Sequence, residues 1–167
     1  MKSRIDIQKA APAALQAMSA LEAYVRKAWH AEPSLVELVK MRASQINGCA
    51  YCLDMHSKDA RAQGESEQRL YALNAWRETP FYSDRERAAL AWTEALTSIS
   101  DGHAPDEIYE QVRSVFSEDE LVSLSMAIVT INSWNRLAIG FRAVPGEYQP
   151  PARKEAYDAA LTGRRSG

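Results

Sequence analysis

The feature that most constrains the fold of this chain is Gly48, a glycine placed between two segments that both follow a helical pattern. Residues 34–46 carry apolar side chains at helical spacing, and residues 49–63 are rich in helix-forming residues. The Asn47-Gly48 pair between them favours a tight connection. The pattern therefore predicts an antiparallel helical hairpin.

Both cysteines of the chain, Cys49 and Cys52, form a C-x-x-C at the start of the second segment, and His56 follows four residues later. At about 100° per residue, the three side chains lie within roughly 60° of one another on one helical face. Unpaired N–H groups and the helix dipole favour a thiolate at Cys49 in the first turn. A cysteine in such a motif can have its pKa lowered from about 8.5 to about 3.5–7.5.

A carboxylate on the first segment completes this set of residues. In an antiparallel hairpin Glu37 lies close to His56, because each helical residue rises by roughly 1.5 Å. A carboxylate can orient an imidazole, and the imidazole or a bridging water can then take a proton from a thiol. These residues together indicate a dithiol with its own proton relay. A structural alternative also exists, since the stretch from Ser34 to Glu37 fits a capping box.

A zinc site built from Cys49, Cys52 and His56 is a further alternative. Structural zinc sites in proteins usually have four protein ligands, and three ligands without a second pair nearby make a poor site. The other two histidines, His30 and His103, are remote in the sequence. We therefore expect no bound metal and no cofactor.

The composition is that of an ordinary globular protein of 167 residues, with 46% hydrophobic and 25% charged residues. A net charge of −2 argues against nucleic acid or an anionic membrane as the main partner. The sequence shows no secretory signal and no run of about twenty apolar residues. A cysteine pair without an export signal favours a reducing compartment, so we expect a cytoplasmic protein.

The remaining residues predict a compact all-α domain that spans residues 1–167, with a core over about 10–142 and a C-terminal arm over 143–167. Glycine and proline occur only seven times each, and helix-forming residues dominate. Helices are predicted over residues 11–29, 34–46, 49–63, 66–75, 84–99, 105–115, 118–139 and 152–161, after an extended arm over 1–8. Capping boxes at Ser83 and Ser117 open two of these helices.

Several large or polar side chains have a packing role as their simplest interpretation. We predict that Trp76, Trp92 and Trp134 are core or interface aromatics, although one of them could line a pocket. We predict that Asn132 and Asn135, with Arg136, are hydrogen-bonded packing residues in an otherwise apolar helix. Tyr51, between the cysteines, either faces solvent or forms a pocket wall, and the sequence does not decide between the two.

The pattern E-x11-C-x2-C-x3-H, formed here by Glu37, Cys49, Cys52 and His56, resembles the signature of a known family. It is similar to the AhpD-like alkylhydroperoxidases of the carboxymuconolactone decarboxylase superfamily, and the resemblance covers about residues 15–142. The superfamily's decarboxylase branch lacks the cysteine pair. The best-known AhpD-like members carry a histidine directly before the second cysteine, where this chain has Tyr51.

The resemblance implies an all-helical homo-oligomer, often a trimer or hexamer, that reduces a hydroperoxide substrate with electrons from an external thiol or dithiol. It implies that Cys52 attacks the peroxide, that Cys49 resolves the product, and that Glu37 and His56 serve the proton relay. The helix N-terminus favours the Cys49 thiolate instead, so the residues and the resemblance point to different attacking sulfurs. A thiol–disulfide oxidoreductase or redox sensor, and a non-catalytic helical oligomer, are the competing functions.

Overall fold

The computed structural model describes residues 2–150, and these residues form helices, turns and loops with no β-strand. The α-helices in this range are α1 (Ile7–Ala10), α2 (Pro12–Ala28), α3 (Pro33–Asn47), α4 (Ala50–Ala62), α5 (Glu67–Ala72), α6 (Asp84–Thr97), α7 (Asp106–Arg113) and α8 (Glu118–Phe141). A 3-10 helix, Leu73–Glu78, follows α5 directly. The all-α prediction is confirmed. No helix within residues 2–150 is long and apolar enough to span a bilayer.

Helix α3 lies at the centre of the fold, where it packs against α4, α6 and α8. The largest apolar cluster draws on α2, α3, α6 and α8 and includes the fully buried Val25, Val39, Ala89 and Leu124. Burying each large aliphatic side chain contributes about 1.5–3 kcal/mol to folding. The apolar core therefore fixes α3 from one side and leaves its other side for α4.

The capping boxes predicted for α6 and α8 are both present. Ser83 accepts a hydrogen bond from the Glu86 N–H, and the Glu86 carboxylate accepts one from the Ser83 N–H. Ser117 and Glu120 make the same pair of bonds at the start of α8. Each box satisfies two backbone donors that the first turn of a helix leaves unpaired.

The α3–α4 hairpin turns at Gly48, whose φ of +68° lies in the left-handed region. Glycine suits this position because it has no Cβ to clash with the backbone. The Cys49 N–H then bonds to the Ser44 carbonyl at 3.0 Å and closes the end of α3. Cys49 was expected inside the first turn of the next helix, but it is the N-cap of α4, with an extended backbone at φ −83° and ψ 93°.

Two further segments differ from the prediction. The N-terminal arm contains the single-turn α1, because Asp6 caps it through the Lys9 N–H. The helix predicted over 66–75 ends as α5 at Ala72, and a non-helical backbone at Ala75 interrupts the 3-10 helix that follows. Residues 143–150 form no helix, as predicted for the C-terminal arm. The helix predicted over 152–161 and the end of the arm lie outside the described residues.

Candidate active site

The hairpin brings Glu37 and His56 into direct contact in the interior. The His56 Nδ1 and Glu37 Oε2 atoms are 2.8 Å apart, and both residues are buried. This contact rules out the capping-box interpretation of Glu37. The Ser34 hydroxyl donates to Glu65 instead, and α3 begins at Pro33 without any side-chain cap.

Glu37 also lies close to a buried cation. The Lys40 ammonium is 3.7 Å from Glu37 Oε1 and 2.5 Å from Glu22 Oε1 on α2. Burial would raise the pKa of Glu37, but the hydrogen bond from His56 and the charges of His56 and Lys40 outweigh burial and lower it. Glu37 is therefore an ionised carboxylate, which can only accept hydrogen bonds. His56 donates to it through Nδ1, and its Nε2 remains for proton exchange.

The two cysteines are free thiols, and each is only 1% exposed. The Cys52 N–H donates to Cys49 Sγ at 3.4 Å, so the sulfur caps the helix. The pKa of Cys49 is lowered to about 7 by hydrogen bonding from the Cys52 thiol, the Cys52 N–H and the Asn135 amide, and by the charge of His56. Burial acts in the opposite direction. Donation to Cys49 and burial raise the pKa of Cys52. The first proton to leave the pair therefore leaves a thiolate on Cys49.

Sequence reasoning did not place at the site the three asparagines that lie behind the dithiol. Asn47 Nδ2 donates to Asn132 Oδ1 and to Asn135 Oδ1, each at 2.9 Å. The packing role predicted for Asn132 and Asn135 is confirmed by these bonds, but the contact between Asn135 and the sulfurs was not predicted. The available signal was the position of these amides in the most apolar helix of the chain.

A zinc site of the kind weighed from the sequence does not fit the described residues. Within residues 2–150, the metal-capable group with donor atoms within 4.8 Å of one another is Glu37, His56 and Asp59, and it includes neither sulfur. The Lys40 ammonium 3.7 Å from Glu37 opposes a second cation there. We assign no metal to this cluster.

The C-terminal segment 143–150 crosses the outer face of α4. Lys58 Nζ donates to the Gly146 and Tyr148 carbonyls at 3.2 and 3.0 Å, and the Gly146 N–H donates to Asp54 Oδ2 at 3.0 Å. The Tyr148 hydroxyl donates to Asp59 Oδ1 at 2.7 Å. These bonds hold the segment beside the Glu37–His56 pair.

Aromatic side chains complete the surroundings of the dithiol. Tyr51 and Trp134 are half-buried and pack against the cluster that contains both cysteines, so Tyr51 is a wall of the site. Burial and the nearby thiols raise the pKa of Tyr51. Trp76 and Trp92 are core residues, as predicted. Tyr51 occupies the position at which the best-known AhpD-like members carry a histidine, and its phenol stays protonated at neutral pH.

The sequence and the fold place this chain among known proteins. A model of the carboxymuconolactone decarboxylase family matches residues 12–95. YdfG, an uncharacterised protein of Bacillus subtilis, is 44% identical over 139 residues, which cover 83% of this chain and 94% of YdfG. The chain therefore belongs to the carboxymuconolactone decarboxylase family.

Solved structures narrow this assignment to the AhpD-like members. A protein of unknown function from Agrobacterium tumefaciens, proposed to be the antioxidant defence protein AhpD, matches with a TM-score of 0.84 and 46% identity. The match covers 88% of this chain and all of that one. The debrominase Bmp8 bound to 2,3,4-tribromopyrrole has a TM-score of 0.75 at 21% identity, over 92% of this chain and 79% of its own. The second likeness shows a shared fold alone.

Proposed function

We propose that this protein is a thiol-dependent peroxidase that reduces alkyl hydroperoxides or hydrogen peroxide at the Cys49–Cys52 dithiol. One observation carries the proposal. Two buried thiols lie at the N-terminus of α4, where the Cys52 N–H donates to Cys49 Sγ, one helical turn from an imidazole that is held by an ionised carboxylate. Such a site can form a thiolate, move a proton and close a disulfide without any other cofactor.

We propose that Cys52 attacks, as the family resemblance implies. Its thiol loses a proton to His56 directly or through water, and its thiolate attacks one peroxide oxygen. The S–O bond forms as the O–O bond breaks, and the leaving alkoxide takes the proton from His56 and departs as an alcohol. Cys52 is then a sulfenic acid, and the peroxide has accepted two electrons.

In the second half of the cycle the Cys49 thiolate attacks the sulfur of the Cys52 sulfenic acid. An S–S bond forms as the S–O bond breaks, and the hydroxide that leaves takes a proton from the solvent to become water. An external thiol or dithiol then reduces the disulfide with two electrons and returns both thiols. The low pKa of Cys49 suits this resolving role, since the resolving sulfur attacks as a thiolate.

Stopped-flow oxidation of the reduced protein by a small excess of an alkyl hydroperoxide, with mass spectrometry of the products, tests the proposal. We expect two thiols to be lost into a Cys49–Cys52 disulfide. Cys49→Ser should accumulate a sulfenic acid on Cys52, and Cys52→Ser should lose the fast reaction. The reverse result would assign the attack to Cys49. Oxidation no faster than that of a free thiol would overturn the peroxidase and redirect the test to protein disulfides as substrates.

We also propose that the protein assembles into a trimer or hexamer, as the resemblance implies. Val122 and Val129 lie exposed on one face of α8, and Tyr24 of α2 is also exposed. We propose that these side chains belong to a subunit contact, since contiguous exposed apolar patches mark protein–protein interaction sites. Light scattering on the Cys49→Ser, Cys52→Ser double variant separates assembly from chemistry, because we expect the oligomer to persist without either thiol.

A further inference from the structure

Asn135 on α8 is completely buried, and its neighbours Ile131 and Trp134 pack in the cluster that contains both cysteines. Its Oδ1 accepts a hydrogen bond from Asn47 Nδ2 at 2.9 Å, and its Nδ2 donates to the Ser44 hydroxyl at 3.1 Å. An amide nitrogen carries two hydrogens, so one N–H remains after the bond to Ser44. The remaining N–H therefore lies beside the cluster that contains both cysteine sulfurs.

The orientation of the Asn135 amide follows from neighbouring groups that can only donate or only accept hydrogen bonds. Arg136, which can only donate, bonds to Asn132 Oδ1 at 3.1 Å, and the Ile128 carbonyl, which can only accept, bonds to Asn132 Nδ2 at 2.9 Å. Asn132 Oδ1 therefore points at Asn47 Nδ2, which in turn sets Asn135 Oδ1 toward Asn47. The Asn135 nitrogen is left on the side of Ser44 and the cysteine cluster, because the opposite flip would place two donors against each other.

We propose that Asn135 is a catalytic residue of the dithiol, whose amide N–H donates a hydrogen bond to whichever sulfur carries the negative charge. It holds the thiolate before the peroxide arrives, and it stabilises the thiolate that leaves when a reductant opens the disulfide. Hydrogen bonds to a charged acceptor are about twice as strong as neutral ones. The part of this role that concerns peroxide rests on the proposed function, whereas the thiolate contact does not.

The other groups that act on the thiols are distinct from this amide. On α4 they are His56 and Tyr51, and on α3 Glu37 and Lys40 act through His56. From α8 the polar group beside the sulfurs is the neutral Asn135 amide, which neither gains nor loses a proton. A change at Asn135 therefore alters the stability of the thiolate and leaves the Glu37–His56 pair in place.

The test is a pH titration of the reduced protein in the absence of peroxide, followed by thiolate absorbance and by the rate of alkylation with iodoacetamide. Asn135→Leu keeps the shape of the side chain and removes the donor. We expect the midpoint of the first thiol ionisation to move upward by about one unit, which lowers the thiolate fraction at pH 7 about fivefold. Ser44→Ala is the matched control, because it removes the other acceptor of the same amide and should leave the midpoint unchanged.

An unchanged midpoint in folded Asn135→Leu would overturn the role of Asn135, whether or not the protein reduces peroxide. A raised midpoint in a protein that fails to react with hydroperoxides would overturn the peroxidase and keep the thiolate role. If Asn135→Leu does not fold, Asn135→Ala is compared with Asn135→Ser. The serine hydroxyl keeps a donor, so we expect the serine variant to have the lower midpoint, and equal midpoints would overturn the proposal.

Discussion

The start of α3 and the starts of α6 and α8 carry the same sequence pattern and use it differently. Ser-x-x-Glu occurs at Ser34–Glu37, at Ser83–Glu86 and at Ser117–Glu120. In α6 and α8 the glutamate bonds to the backbone of its own helix. In α3 the glutamate bonds to His56 on another helix.

The difference follows from where the helix begins. Pro33 suits the first helical position because its ring fixes φ and it has no N–H to leave unpaired, so α3 starts one residue before Ser34. Ser34 is then inside the helix and cannot act as the N-cap. Glu37 falls too far into the helix to reach the first backbone N–H groups, so its carboxylate is free to bind His56. The Ser-x-x-Glu pattern therefore predicts a capping box only where the helix begins directly after the serine.

The largest expected effect is on the rate of peroxide oxidation, and it distinguishes Glu37 from Glu86, the glutamate of the capping box in α6. Glu37→Gln removes the charge that orients His56, and we expect the rate of peroxide oxidation to fall about 100-fold, in the range of general-base contributions. Glu86→Gln should leave this rate unchanged, because glutamine can also complete a capping box. Stopped-flow oxidation of both variants, with circular dichroism to confirm folding, makes the comparison. Equal rates in the two variants would show that Glu37 has no part in the proton relay.

A smaller effect compares the glycine that ends α3 with one inside α8. Gly48→Ala places a Cβ in left-handed backbone and should lower the free energy of unfolding by about 1–2 kcal/mol. No atom lies within 4 Å of that Cβ, so the loss is conformational. Gly140→Ala also meets no atom within 4 Å, but it lies in helical backbone and should raise stability by about 0.5–1 kcal/mol. Urea denaturation gives both values, and changes of the same sign would contradict this account.

The smallest effect concerns the serines themselves. Ser83→Ala removes a helix cap and should cost about 1 kcal/mol. Ser34→Ala removes only a half-buried hydroxyl that donates to Glu65 at 3.2 Å, and it should cost less than about 0.5 kcal/mol. Thermal unfolding of the two variants compares them directly. A Ser34→Ala loss as large as that of Ser83→Ala would show that Ser34 has a capping role that its contacts do not reveal.

The helical hairpin and the contact of Glu37 with His56 were predictable from the sequence because their causes are local. The two residues are nineteen positions apart in the sequence, and one tight turn fixes their relative height. Lys40 and Asn135 were not placed at the site in this way. Asn135 is 88 residues from its partner Asn47, so no local turn relates the two. Lys40 is only 18 residues from Glu22, but the connection between α2 and α3 contains no Asn-Gly turn to fix their relative height. Periodicity shows that a side chain is inside without showing what it contacts.

Helix boundaries were less predictable than helix faces. The cap at Asp6 begins a turn of helix that was not predicted, and the extended backbone of Cys49 moves the start of α4 by one residue, since a single side-chain hydrogen bond decides where such a helix begins. For Cys49 this small shift has a chemical result. Its sulfur accepts the Cys52 N–H because it stands at the N-cap and not one residue further along.

The asparagine bonds between α8 and the hairpin limit how far this chemistry can be transplanted. Residues 33–62 contain the dithiol, the imidazole and the carboxylate, so a designer could graft them into another helical protein as one continuous piece. The graft would leave Asn135 behind, and with it the donor that we propose for the thiolate. A host protein would have to supply an equivalent buried amide at the same height, or its grafted Cys49 would ionise at a higher pH than in this protein.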